Sequence, residues 1–338
     1  MKHFRRGNIT PHRAGRWEYT LNRDGSIRLH AYHGNTPVLT IPETLMDRPV
    51  TSLARLFSGP YHVQLVIIPP TVTTIGAYAL SYDEDLCGVL IPPETTSIHA
   101  TAFEHQKDNK DFCLFVTEGS HAHEFAQRYG FRFELNTFPV LEEESMNHWA
   151  WGDWSYALID ESRCVIREYN GTDRIVEVPA EIDGYDVIGL NSASFFGNTW
   201  MEELIVPDGV EYLANFAMEY CTSLRRIHLP DSVSMVGGGC FAFCRSLEEI
   251  RFPAGLEMIM LMAFTGCTAL RSVTLPRTLH TIMPMAFNGC TALETIHTSP
   301  VLSYVAHSAV EKCPNLRRPF LPDTLDDESR AVLSRLPA

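Results

Sequence analysis

Apolar residues recur at a fixed interval of 23 positions through the second half of the chain, between Phe195 and Cys313. The repeated unit has the pattern A-F-x-x-C-x-x-L-x-x-I-x-L-P-x-x-V. Its alternating I-x-L segment predicts one short strand per unit, which the following proline ends. The invariable positions are Cys221, Cys244, Cys267, Cys290 and Cys313, with Pro207, Pro230, Pro253 and Pro276. A fixed period in the twenties predicts a solenoid of stacked repeats.

A single unit of this kind cannot bury enough apolar surface to fold alone, so each layer must be stabilised by its neighbours. We therefore expect the leucine, isoleucine and valine positions to point inward in every layer. The cysteines occupy a similarly apolar position, and free cysteine packs as a small buried hydrophobe. The sequence thus predicts a column of reduced core thiols.

The chain also contains a tandem duplication. Gly15, Trp17, Tyr19, Tyr32, Gly34 and Pro42 all recur 137 residues later, at Gly152, Trp154, Tyr156, Tyr169, Gly171 and Pro179. In the first copy Asp83 and Gln106 replace the cysteine, which makes that array shorter and less regular. We predict a mobile lead-in at 1–14, a first module at 15–135, an acidic linker at 136–151, a second module at 152–322 and a C-terminal capping helix at 323–338.

Each module needs an end that covers its last layer. Residues 114–116 are predicted to form the last strand of the first module. A short helix over 120–129 should follow, with Ser120 as its N-cap and Gly130 as its stop. A helix over 326–336, capped by Asp326 or Asp327, should close the second module through Ala331, Val332 and Leu336.

These motifs resemble the BspA-like leucine-rich repeats of bacterial proteins. The resemblance is carried by copies such as AFTGCTALRSVTLP at 263–276, by the opening of the second module at 156–184, and by 119–130. It covers 17–135 and 154–318. It implies an α/β, β-rich solenoid of the right-handed β-α superhelix type, with short parallel strands and a helical or 3₁₀ turn near each A-F-x-x-C. It also implies protein binding, often at the cell surface.

Composition limits the partners. The net charge is −14, from 27 basic and 41 acidic residues, which disfavours nucleic acid and anionic lipid as ligands. The basic start lacks the apolar run of roughly 7–15 residues that a signal peptide carries, and there is no stretch long enough to insert into a membrane. We expect a cytoplasmic protein, with a surface or secreted location as the alternative. Nothing in the sequence indicates an oligomeric state.

Three local motifs suggest chemistry, and each has a simpler explanation. His121 and His123 do not share a helix face. Cys240 and Cys244 both occupy packing positions of the repeat. The run at 237–239 lacks the Lys-Ser/Thr of a phosphate loop, and we expect it to loosen one turn. We therefore predict no catalytic residue, metal or cofactor; a hydrolase or metal enzyme is the least favoured alternative.

The predicted functional surface is the outer side of the strands. Residues two and four positions before each proline should point outward and align from layer to layer. They are Glu203, Ile205, Arg226, His228, Glu249, Arg251, Ser272 and Thr274, and Thr295 and His297 extend the row. Mixed charge suits protein recognition. We predict a non-enzymatic protein–protein interaction scaffold, with a bacterial surface adhesin as the alternative.

Overall fold

The computed structural model describes residues 11–34, 36, 38–57, 62–81, 85–135 and 149–338. Most of the predicted lead-in and linker, and Asp83, lie outside these ranges. The chain divides into two compact units, 1–137 and 138–338. Each unit is described by itself.

The first unit opens with antiparallel strands that continue into a parallel stack. One sheet has the spatial order His12–Ala14, Trp17–Leu21, Ile27–Tyr32, Arg48–Leu53, Thr74–Ile75, Ser97–Ile98, and Thr44–Leu45 pairs with Arg48–Leu53. The predicted lead-in therefore ends in a strand, because His12, Arg13 and Ala14 pair with the strand at Trp17–Leu21.

The second sheet of this unit is wholly parallel and contains the proline-terminated strands. Its order is Val38–Thr40, Leu65–Ile67, Gly88–Ile91, Cys113–Val116, Phe133–Leu135. The predicted last strand is thus followed by one more, since Leu114 pairs with Phe133. Helix α1, His121–Tyr129, lies between them. Ser120 accepts a hydrogen bond from the amide of His123, and Gly130 ends the helix in the left-handed conformation, as predicted.

The second unit begins in the same way. Its opening sheet has the order Trp149–Trp151, Trp154–Leu158, Arg163–Tyr169, Tyr185–Leu190, Tyr212–Leu213, Met235–Val236, with Glu181–Ile182 paired to Tyr185–Leu190. The strands Trp17–Leu21 and Trp154–Leu158 lie 137 residues apart, so the duplicated sequence forms duplicated structure. The end of the predicted linker is a strand here too, with Trp149 opposite Tyr156.

Regular repeats have two strands, except the one in which residues 249–251 form none, and the sequence predicted only one strand per repeat. The proline-terminated strands form a three-stranded and a two-stranded parallel sheet: Ile175–Glu177, Glu203–Ile205, Arg226–His228, then Ser272–Thr274, Thr295–His297. Shorter strands after the prolines form the opposite side of the layer, in the opening sheet and in a further sheet of Met258–Ile259, Thr281–Ile282, Tyr304–Val305. The core lies between the two sides. The structure is a β-solenoid.

The segment near each A-F-x-x-C is a chain of turns, which corrects the predicted helical turns. The amide of Cys244 donates to the carbonyl of Phe241 within the layer, but the amide of Phe241 donates to Ala263 of the next layer. A left-handed residue between them, Phe243 at φ 60°, prevents a continuous helix. Similar residues are Phe216, Tyr220, Met262, Met285 and Lys312. In the described ranges, one 3₁₀ turn occurs, at Glu104–Gln106.

The cysteine column is buried and connects successive layers. All nine cysteines are free and buried. The thiol of Cys267 donates to the carbonyl of Phe241, and that of Cys290 to the carbonyl of Phe264, each at 3.1 Å. Cys221, Cys244 and Cys313 make the same contact 26 residues back. The rings of Phe241, Phe264 and Phe287 stack beside this column.

Helix α2, Asp327–Ser334, covers the last layer. Asp326 caps it by accepting from the amide of Ser329, as the sequence predicts. The Ser329 hydroxyl accepts from the amide of Val305 at 2.7 Å and so continues the strand ladder. Val332 is buried against the core as predicted. Leu333 is also buried there, whereas Ala331, which was predicted to be buried, is exposed.

Candidate protein-binding face

The outward residues of the proline-terminated strands form one face of the second unit, which we call the sheet face. In Arg226–His228 and Ser272–Thr274 the middle residue is buried and both flanking residues are exposed. Parallel pairing aligns equivalent residues, so Glu203 lies opposite Arg226 and Ser272 opposite Thr295. Neighbouring strands are spaced by roughly 5 Å. Side chains 23 residues apart therefore form columns on this face.

One end of the sheet face is occupied by its own ion pairs. Glu203 lies 3.2 Å from Arg226 Nη2 and 2.8 Å from His228 Nε2. These contacts, His228 first, lower the pKa of the Glu203 carboxyl, because both favour its ionised form. Arg251 approaches Asp231 at 3.5 Å. Charges at this end already have partners within the chain.

The other end presents polar groups without such partners. Among the described residues, the side chains of Glu249, Ser272, Thr274 and His297 form no hydrogen bond or ion pair with the chain, and all four are exposed. Thr295 is half-buried beside them, as is Ile205 at the paired end. This open end can accept and donate hydrogen bonds to an outside molecule.

The sheet is interrupted where the two ends meet. Residues 249–251 carry Ile250 inward as predicted, yet they form no strand. The three-stranded sheet stops at Arg226–His228 and the two-stranded sheet starts at Ser272–Thr274. The predicted continuous row of strands is therefore two segments joined through an irregular layer.

A second column, missed by sequence reasoning, flanks the face. Its members precede each strand and alternate in sign: Arg174, Glu202, Arg225, Glu248, Arg271, Glu294, Arg317. Arg174 contacts Glu202, and Arg225 Nη2 lies 2.7 Å from Glu248. The pairing lowers the pKa of Glu248. From Glu202 onward the interval is 23, so aligning the repeats by sign could have revealed this charge column.

The three motifs considered for chemistry have structural explanations. His123 accepts from the amide of Gly119 through Nδ1 and lies 2.9 Å from Gln127 through Nε2. Cys240 is fully buried, which raises the pKa of its thiol. In the described ranges there is no group of three or more His, Cys, Asp or Glu side chains arranged for a metal ion.

The glycine run at 237–239 tightens its turn, which corrects the predicted loosening. A Cβ on Gly237 would lie 2.6 Å from the backbone nitrogen of Asn215. Gly239 has φ 62°, and the Phe216 ring occupies the place of its side chain at 2.3 Å. The close approach of the Asn215 backbone requires glycine at 237, and the left-handed backbone beside the Phe216 ring favours glycine at 239.

A family model described as the BspA type leucine-rich repeat region matches residues 40–114 and 190–327, with six copies. The chain belongs to this family. The match confirms the resemblance noted in the sequence.

Solved structures of other leucine-rich repeat proteins are similar to this BspA-type chain. A protein of T. pallidum is 27% identical with a TM-score of 0.51, over 56% of this chain and 96% of that one. A leucine-rich cell surface protein of Faecalibacterium prausnitzii is 20% identical with a TM-score of 0.38, over 97% of both chains. The pneumococcal vaccine antigen PcpA is 14% identical with a TM-score of 0.34, over 98% and 97%. Among curated proteins, none matches the chain.

The structure contains two helices in its described ranges, and neither is long or apolar enough to cross a membrane. On the second unit of this BspA-type chain, the sheet face and its flanking charge column expose hydrogen-bonding and charged side chains.

Proposed function

We propose that this BspA-type protein is a non-enzymatic scaffold that binds a protein partner through the sheet face of its second unit. The partner contacts Glu203, Ile205, Arg226, His228, Glu249, Arg251, Ser272, Thr274, Thr295 and His297. The observation that carries the proposal is the open end of the face, where exposed side chains on a rigid, core-packed layer lack partners within the chain.

Two features support protein as the partner class. The face mixes both signs of charge with hydroxyl groups, which gives specificity to protein interfaces. Its flanking charge column is already neutralised in part by the pairs of Arg174 with Glu202 and Arg225 with Glu248. These residues do not form the uniformly basic surface that binding to nucleic acid requires.

The paired and open ends have different roles in this proposal. Breaking the contacts of Arg226 with Glu203 removes a surface ion pair, which is worth about 1 kcal/mol or less. Binding energy is expected at the open end, because its groups exchange water for partner contacts without first losing an intramolecular pair. A substitution at Thr274 should therefore affect binding more than one at Arg226.

A quantitative pull-down from the producing cell tests the proposal. The baits are the full chain, a charge-swapped variant Arg226→Glu/Glu249→Lys/Arg251→Glu, and Thr274→Arg. The matched control is Arg23→Glu/Glu311→Lys/Lys312→Glu, which changes the net charge equally at exposed positions outside the face.

We expect the control to recover the parent's partners at the parent's yield. The yield of the same partners should be at least about tenfold lower with both face variants. The yield with Thr274→Arg should be no higher than the yield with the charge-swapped variant. Equal recovery by all four baits would show that the sheet face is not the binding surface.

The second candidate is the same binding role outside the cell, as a surface adhesin, which the family resemblance favours over an intracellular scaffold. Protease treatment of intact producing cells separates the two. Loss of the protein from intact cells, with an internal marker retained, would place the sheet face on the cell exterior.

A further inference from the structure

The turn side of the second unit carries a row of aromatic rings that is distinct from the sheet face. Phe196 and Tyr220 meet edge to face with ring centroids 5.9 Å apart, and Tyr220 stacks on Phe243 at 4.8 Å. Phe196 is 56% exposed and Tyr220 is 36% exposed. The row therefore presents aromatic surface to solvent at one end and joins the packed layers at the other.

Two of these rings stand at a backbone position that disfavours them. Tyr220 and Phe243 have φ of 61° and 60°, in the left-handed region. The same repeat position is Gly266 and then Gly289, also left-handed, in the following layers. A side chain there costs stability that glycine does not. The chain keeps an exposed tyrosine at a position where two of its later repeats use glycine.

The residue before Tyr220 in the chain, Glu219, carries a carboxyl group that interacts electrostatically with Tyr220 and has no hydrogen-bonding partner in the described part of the chain. Glu219 is only 7% exposed, and the structure gives its side chain no hydrogen bond or ion pair among the described residues. The carboxyl oxygens of Glu219 are not fully enclosed, so the carboxyl group retains some contact with solvent. Burial without a partner raises the pKa of Glu219 to about 7.

Most of the later repeats have a different residue at the position of Glu219. The equivalent residue is Ala242 in the next layer, and Thr265 in the one after donates its hydroxyl to the carbonyl of Met285 at 2.7 Å. In the last repeat it is Glu311, which is exposed to water. In the repeat before that, it is Asn288, which is buried but carries no charge. Only at Glu219, among these five positions, does the layer hold a buried carboxyl that no described residue compensates.

We propose that Glu219 and the rings of Phe196 and Tyr220 form a binding site for an arginine side chain of a partner protein. A guanidinium group pairs with a carboxylate through two parallel hydrogen bonds and also stacks on aromatic faces. It would neutralise Glu219 and cover the exposed ring of Tyr220. Lysine shares the charge but not the planar shape, and binds more weakly. This site does not depend on the sheet face.

The test measures binding of defined peptides to the full chain. The probe is the blocked pentapeptide Gly-Gly-Arg-Gly-Gly, compared with the same peptide carrying citrulline, which has arginine's shape without its charge. The chain is labelled with ¹⁵N at its 12 tyrosines, and Tyr220→Phe assigns the Tyr220 amide signal. The arginine peptide should shift that signal saturably, and the citrulline peptide should not.

Three variants test the roles of the residues. Glu219→Gln should weaken arginine binding at least about tenfold, whereas Glu311→Gln, at the equivalent position, should leave it unchanged. Tyr220→Gly copies Gly266 and removes the reporting tyrosine, so its binding of the arginine peptide is measured by calorimetric titration; it should abolish binding while raising the melting temperature. If Glu219→Gln does not fold, Glu219→Ala, which copies Ala242, replaces it.

Equal shifts with citrulline would refute the site, as would unchanged affinity in the Glu219 variants or the absence of any shift at Tyr220. A loss of both binding and stability in Tyr220→Gly would also refute it, because the ring would then be part of the packing. A failed pull-down through the sheet face would leave these outcomes unaffected, so the two proposals can fail separately.

Discussion

Replacing Glu219 by glutamine should change how stability depends on pH. The folded pKa of Glu219 is about 7, against an ordinary value of 4.5. The folded protein therefore binds more protons than the unfolded chain between these values, and its stability falls as pH rises through that window. Each tenfold change in proton affinity is worth about 1.4 kcal/mol, so the full effect is about 3 kcal/mol. Glutamine has the same shape and cannot titrate.

Urea unfolding at pH 4.5 and pH 8, followed by tryptophan fluorescence, measures this effect. Four of the five tryptophans, Trp149, Trp151, Trp154 and Trp200, belong to the second unit, so the signal reports the unit that contains Glu219. The free energy of unfolding of the parent, minus that of Glu219→Gln, should fall by about 3 kcal/mol from the lower to the higher pH.

Taking the difference removes the contributions of groups common to both proteins. Tyr220 interacts electrostatically with Glu219 and Arg245, and both Tyr220 and Arg245 are unchanged in the variant. Glu311→Gln, at the exposed equivalent position, should follow the parent at every pH. Parallel profiles for parent and Glu219→Gln would show that Glu219 is not desolvated in solution, and would refute the reasoning.

Other substitutions test the packing of the layers. Gly239→Ala should destabilise the second unit by at least about 1 kcal/mol, because its left-handed φ and the Phe216 ring exclude a side chain, whereas Gly255→Ala, with open space around it, should be close to neutral in the same urea titration. Asp326→Ala should cost about 1 kcal/mol through loss of the α2 cap, and the exposed Asp323→Ala should not. The five column cysteines should resist a disulfide reagent in native buffer at pH 8 and react on unfolding, since burial encloses their thiols and raises their pKa values; rapid native labelling of all five would contradict this.

The inward side of each layer could be predicted from sequence because alternation along a strand fixes which residues are buried. Leu224, Ile227 and Leu229 are buried, as are their equivalents in the next two repeats. Local signals of the same kind predicted both helix caps, Ser120 and Asp326, because a cap depends on residues within one turn.

The turns could not be predicted because their hydrogen bonds lie between layers. A-F-x-x-C is compatible with a helical turn, but the amide of Phe241 donates to Ala263 in the next repeat. The only hint was at the left-handed position itself, where Gly266 and Gly289 follow Tyr220 and Phe243. Glycine at these positions would have indicated a left-handed backbone, but Tyr220 and Phe243 gave no such indication.

The candidate surfaces were predictable to different degrees. Period 2 alternation was enough to place Arg226 and His228 on the outside. It did not predict that residues 249–251 leave the sheet, because their side-chain pattern is the same as in paired layers. The environment of Glu219 depends on residues from several repeats, and no spacing rule for one strand contains that information.

The alternating charge column has a consequence for how this array can change length. Excising one 23-residue repeat would bring Arg225 next to Arg271, replacing an attraction with a repulsion, while every thiol would still meet a carbonyl. Excising two repeats would restore opposite signs along the whole column. Duplications and deletions that survive in the lineage of this gene should therefore favour even numbers of turns.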